Sequence, residues 1–180
     1  MAAKKIKVNR APVLTLWAAV VAERLGFKED EALSLGKAVA GLNAQAKGRS
    51  LGIFTPRKDT VAKAREEKKG ERIFIALCNR AVPARVTPQG IRALQGTRTI
   101  EPGPVRRYLE NKFGEAFPSV RKAMEDLARA YRPSDLADKA FALYEEFRPS
   151  VPPGLRGWGA AGELDLEKIR SLAPKSRGRK

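Results

Sequence analysis

The chain has 180 residues, 43% of them apolar, and carries a net charge of +16. That apolar share is enough for a folded core, which excludes a disordered polycation, and no stretch approaches the roughly 20 uninterrupted apolar residues of a membrane span. Histidine is absent and Cys78 is the single cysteine, which excludes an internal disulfide, thiolate metal clusters and Ser-His or Cys-His nucleophile pairs, and fits a reducing cytoplasm.

The first ten residues carry +4, show no signal-peptide cleavage pattern, and read as a flexible basic arm. Residues 12–25 predict an amphipathic helix, because Val13, Leu16, Trp17, Val20, Val21 and Leu25 recur at three- and four-residue steps. Pro12 suits its first turn and Gly26 its stop. Residues 29–46 predict a second helix with Glu29, Asp30 and Glu31 at its positive end and Ala32, Leu35, Val39, Leu42 and Ala46 as the apolar stripe. Gly36 and Ala40 lie four apart, which admits another backbone closely. The short intervening turn pairs the two as an αα-hairpin. A helix-turn-helix is disfavoured, since the second helix is Gly-interrupted and poor in base-reading side chains. Lys47, Gly48 and Arg49 follow, either as a phosphate cradle or as an ordinary helix end with cations at the negative pole of the dipole.

Residues 57–71 are charged with mixed sign and read as a solvated helix or a linker. Residues 72–101 break the helical pattern and predict a small antiparallel meander. Ile73 to Cys78 is a short apolar run, Asn79 and Arg80 turn the chain, and Ala81 to Val86 return with Pro83 pushing the strand toward an edge. Thr87-Pro88-Gln89-Gly90 has the order of a type I turn, Ile91 to Leu94 form a third strand, and Gly96 turns again. Three helices follow, opened by Pro104, by Pro118 and by a capping Ser134, with their aromatics at core spacing. A Pro/Gly-rich loop, a short helix over 165–172 and a basic tail complete the chain. The predicted fold is α+β and predominantly helical: an N-terminal helical hairpin, a small antiparallel β-meander and a C-terminal helical bundle. It forms one compact domain over residues 1–173, with flexible basic ends at 1–10 and 174–180. A sub-boundary near 56–71, dividing 11–55 from 72–173, is the alternative.

The positive charge is clustered: +5 over residues 47–72, +5 over 80–107 and +4 over 174–180, against −1 over 11–46 and −2 over 133–173. Such clustering favours a polyanion partner. The candidate contacts are Lys4, Lys5, Lys7 and Arg10 in the arm, Lys47 and Arg49 after the second helix, and Arg80, Arg85, Arg92 and Arg98 along the meander, where only Glu101 opposes them. Arg106 and Arg107 follow, then Arg156 and Trp158 in the loop, and Lys175, Arg177, Arg179 and Lys180 in the tail. Arginine's paired donors match phosphate.

Gly154-Leu155-Arg156-Gly157-Trp158-Gly159 resembles the Gly-hydrophobe-Gly hairpin of helix-hairpin-helix DNA-binding modules, over about ten residues. The resemblance implies phosphate binding by backbone N–H groups around Gly157, Trp158 and Gly159. Trp158 otherwise plugs the loop into the core, or stacks on a base beside Arg156. Tyr108 beside Arg106 and Arg107 has the residue types of tyrosine-based strand transfer, without the wider arginine pattern of such enzymes. The expectation is a non-enzymatic DNA- or RNA-binding protein that contacts mainly phosphate and uses no metal or cofactor. The alternatives are an interaction module for an acidic protein and a carboxylate-dependent enzyme.

Overall fold

The computed structural model describes residues 5–48, 73–150 and 161–173. The mixed-charge stretch 57–71, the loop around Trp158 and the tail 174–180 lie outside the described residues. In chain order the elements are β1 (Lys5–Asn9), α1 (Arg10–Leu25), α2 (Glu29–Gly48), β2 (Ile73–Leu77), β3 (Arg80–Thr87), β4 (Gly90–Gln95), β5 (Arg98–Thr99) and α3 (Pro102–Phe113). A 3-10 turn at Gly114–Ala116 leads into α4 (Phe117–Arg129), then α5 (Pro133–Phe147), β6 (Ala161–Asp165) and α6 (Leu166–Ser171). The fold is α+β with helix dominant: a helical hairpin, a four-stranded antiparallel meander in the order β2-β3-β4-β5, and a C-terminal set of helices.

α1 is the centre of the molecule. Every residue from Pro12 to Ala22 is buried, so α1 is not the amphipathic helix that the spacing suggests. No charge lies between Arg10 and Glu23, which leaves no polar face to turn outward. α2, α3, α4 and α5 all pack against it. Trp17 is fully enclosed, with its edge toward the Phe147 ring at 5.3 Å. Its indole N–H donates to the Ala140 carbonyl at 2.8 Å, which satisfies the one polar atom the ring brings inside. At the far end of α1, Gly26 takes φ +116 and returns its N–H to the last turn.

The hairpin closes tightly at Gly36. A Cβ there would come within 2.5 Å of the Thr15 carbonyl oxygen and 3.0 Å of the Ala19 nitrogen, so only glycine admits this approach of α1 to α2. The other side of α2 lies on the meander, against β3 and β4. There the buried Ser34 hydroxyl accepts the Ala93 N–H at 2.7 Å and donates to the Ile100 carbonyl at 2.6 Å. The Glu31 carboxylate accepts the Lys28 N–H and the Ile91 N–H, both at 3.0 Å. α2 is thus held on several sides, and Ala32–Gly36 and Ala38–Ala40 are buried.

The meander's first turn is Cys78–Asn79, not Asn79–Arg80. Both residues have positive φ (48° and 65°), as a type I′ loop requires, and Arg80 is already in β3 opposite Leu77. Pro83 stands one residue past the last β3–β4 pair, Ala84 with Ala93, so only β2 flanks it and its missing N–H costs no ladder bond there.

In the C-terminal helices, Val120, Ala123, Met124, Leu127 and Ala128 of α4 and Leu136, Ala140, Leu143, Tyr144 and Phe147 of α5 face inward. Ser134 does not cap α5: Pro133 follows Arg132 at the N-cap, and no side chain caps the turn. Lys5–Asn9 of the basic arm, read from its charge as flexible, form a strand. β1 pairs antiparallel with β6, with Val8 buried and Ile6 packed on the core. The alternation Lys5-Ile6-Lys7-Val8 has the period of a strand, and that pattern overrides the disorder its charge suggests.

Candidate nucleic-acid interface

The structure distributes the candidate cations into two classes. In the first class the side chain serves the fold. Arg92 is buried, with its Nη1 donating to the Ile91 carbonyl at 3.0 Å and its Nε 3.6 Å from the Glu101 carboxylate. It stands opposite Arg85 in the ladder, so Glu101 offsets a like-charge pair. Arg92 is therefore spent within the sheet and its flanking turn. Arg106 binds Glu29 at 3.1 Å and Asp30 at 3.4 Å. Arg10 donates from Nε to the Pro149 carbonyl at 2.9 Å, and its pKa is lowered by burial and by the neighbouring Arg148. Arg80 is half-buried, and burial lowers its pKa too. Lys5 and Lys7 fall outside this class: they are exposed, opposite Asp165 and Glu163 in the ladder, and form no ion pair among the described residues.

In the second class are Arg85, half-buried on the sheet, and Arg98 and Arg107, both exposed; none of them forms an ion pair among the described residues. Lys4, Arg49, Arg156, Trp158, Lys175, Arg177, Arg179 and Lys180, and the side chain of Lys47, lie outside the described residues.

Two groups of charged side chains were not visible in the sequence. One is an ion-pair hub around Arg121 of α4, which reaches Glu125 at 2.9 Å, Glu29 at 3.3 Å and Glu23 at 3.4 Å. Burial alone would lower the Arg121 pKa, but its hydrogen bond to Glu125 and the three carboxylates raise it. Burial pushes the Glu23 carboxyl upward, against the pull of Arg121. With Arg106, this hub fastens the α1–α2 turn to α3 and α4.

The other group carries no acid. Lys37 of α2 places its Nζ over the Tyr108 ring of α3, 4.6 Å from the centroid, and Lys112 of α3 lies 5.9 Å from the same centroid. Lys37 and Tyr108 are half-buried and Lys112 is exposed. Burial lowers the Lys37 pKa and raises that of Tyr108. Among the described residues no carboxylate is in ion-pair range of either lysine, and the Tyr108 hydroxyl has no hydrogen-bond partner. The Tyr108–Lys112 spacing of four was a signal available on a helix; the meeting with Lys37 was not.

The charge divides unevenly. Residues 5–48, 73–150 and 161–173 together carry +6, whereas 1–4, 49–72, 151–160 and 174–180 carry +10, with +4 in 49–72 and +4 in 174–180. No described helix is long and apolar enough to cross a membrane. No protein-family model, curated protein or solved structure matches the chain.

Proposed function

We propose that this chain is a cytoplasmic nucleic-acid-binding protein that holds DNA or RNA mainly through backbone phosphates and performs no chemistry on it. The observation that carries the reading is the division of charge. Within the described body much of the arginine is tied to carboxylates, and the body keeps only +6. The larger excess is concentrated in the stretch that joins α2 to β2 and in the last seven residues. Cations clustered in this way neutralise phosphates and release the counterions condensed on a polynucleotide, a gain that needs no base-reading surface.

The test is filter binding of duplex DNA and single-stranded RNA across a salt series from about 50 to 200 mM, where backbone-directed complexes weaken by orders of magnitude. The expected result is a linear fall of log K with log salt, with little dependence on sequence. Absence of retained nucleic acid at the lowest salt overturns the reading. So does co-purification with an acidic protein that nuclease treatment leaves intact.

A further inference from the structure

The pairing of cations in the described body has a pattern. Arg92 has Glu101, Arg106 has Glu29 and Asp30, Arg121 has three carboxylates, Lys122 and Arg129 share Asp126, and Arg170 has Glu167. Lys37 and Lys112 have no acid in range, and neither do Arg85, Arg98 and Arg107; what sets the two lysines apart is that they meet over one ring. They come from different helices, converge on one ring, and have no acid between them. The π-face of Tyr108 offsets part of their mutual repulsion. It does not replace the water that Lys37 gives up on becoming half-buried, and a desolvated ammonium without an anion is unfavourable. A nucleic-acid backbone that sets one phosphate against each lysine restores a partner to both, and the Tyr108 hydroxyl offers a further neutral donor.

The position suits the same ligand. Lys37 lies ten residues before Lys47 on α2, about 15 Å along the helix axis. The chain there enters the stretch 47–72, which carries +5. The ring itself is no stacking platform on the face that Lys37 covers, which points to backbone and not base contact.

We infer that Lys37, Tyr108 and Lys112 form a phosphate-binding site on the folded body that takes the phosphodiester backbone of a nucleic acid. The site rests on the nucleic-acid reading above, and the experiment separates the two. Fluorescence anisotropy with a short labelled DNA duplex compares the full-length wild type, Lys37→Gln/Lys112→Gln, Lys37→Arg/Lys112→Arg, and a control of equal net charge, Lys139→Gln/Lys168→Gln, whose two lysines are exposed on α5 and α6. The site predicts that the first pair weakens binding about tenfold or more and flattens the log K against log salt slope by about 2, at roughly 0.9 per phosphate contact. The arginine pair stays close to wild type. The control changes affinity less than about twofold and keeps the slope, as scattered charge without a defined contact should. Lys112→Gln alone gives about half the slope change, and because Lys112 is exposed it tests the site even if replacing Lys37 disturbs the helix packing. If the wild type binds and both Gln variants of the cluster match the control, the site is wrong and the nucleic-acid reading survives. If the wild type binds neither the duplex nor a single-stranded RNA of the same length, both are wrong.

Discussion

The first turn of α2 and its middle treat charge in opposite ways. At the start, Glu29, Asp30 and Glu31 sit where the helix dipole favours acids, and each is engaged: Glu29 by Arg106 and Arg121, Asp30 by Arg106, Glu31 by two backbone N–H groups. Two turns later, Lys37 packs its ammonium on an aromatic ring beside a second lysine, with no acid in range. The difference follows from side-chain form. Arginine's planar fork serves several carboxylates at once, as Arg121 does, so it is suited to fastening elements together. Lysine is a compact point charge on a flexible stem and remains available to an outside anion. In this protein Arg92, Arg106 and Arg121 are tied to carboxylates, whereas Lys37 and Lys112 have none in range.

Breaking the support common to both places should have the largest effect. Gly36→Ala puts a methyl group against the Thr15 carbonyl. Backbone cannot step aside as a side chain does, so a loss of about 2–3 kcal/mol is expected despite alanine's better helix propensity. Urea unfolding measures it, and a variant as stable as wild type would show that α1 and α2 do not approach this closely. Ser34→Ala follows in size. It strands the buried Ala93 N–H and the Ile100 carbonyl, at about 2 kcal/mol. Arg121→Ala, at the acidic end alone, should cost about 1–2 kcal/mol, because the hub is partly exposed and solvent screens it. That loss should shrink in about 1 M salt, where the Debye length is near 3 Å. A loss insensitive to salt would assign Arg121 a packing role instead.

The elements were legible where a local rule decides them. Gly26, Gly90 and Gly96 mark stops and turns, all with positive φ, and the apolar spacing of α4 and α5 gives their buried faces. The apolar stripe of α1 is real but not exclusive, because the residues between its members are buried too. The uncharged run from Ala11 to Ala22 was the better signal, since a helix without polar residues has no face for water. β1 is hard to read from the sequence because the charge of Lys5 and Lys7 masks the alternation with Ile6 and Val8. The site was less legible. Arg92 and Arg106 look alike in the sequence to Arg98 and Arg107, and only tertiary neighbours separate the paired from the unpaired. Tyr108 fits the core spacing of α3 and says nothing of Lys37, which reaches it from another helix.

The smallest expected effect has the clearest sign. The two backbone N–H groups hold the Glu31 carboxyl below its ordinary value, so the folded state releases this proton more readily than the unfolded chain. The stabilisation from Glu31 is then complete above the ordinary carboxylate range and is lost as pH falls through the lowered folded value. Glu23, raised mainly by burial, has the opposite sign and weakens the fold as pH rises through its own range. Glu31→Gln keeps an acceptor for one N–H but turns an amide donor toward the other. It should therefore cost about 1 kcal/mol at neutral pH, a value limited by the partial exposure of the group. Stability of the variant and of wild type should converge as the solution is acidified through the lowered folded value, because only there does the wild-type carboxyl become neutral in the fold. A difference that stays constant from neutral to acid pH would mean that the charge of Glu31 is not what joins the start of α2 to β4, and that the acidic end of this helix is held by its arginines alone.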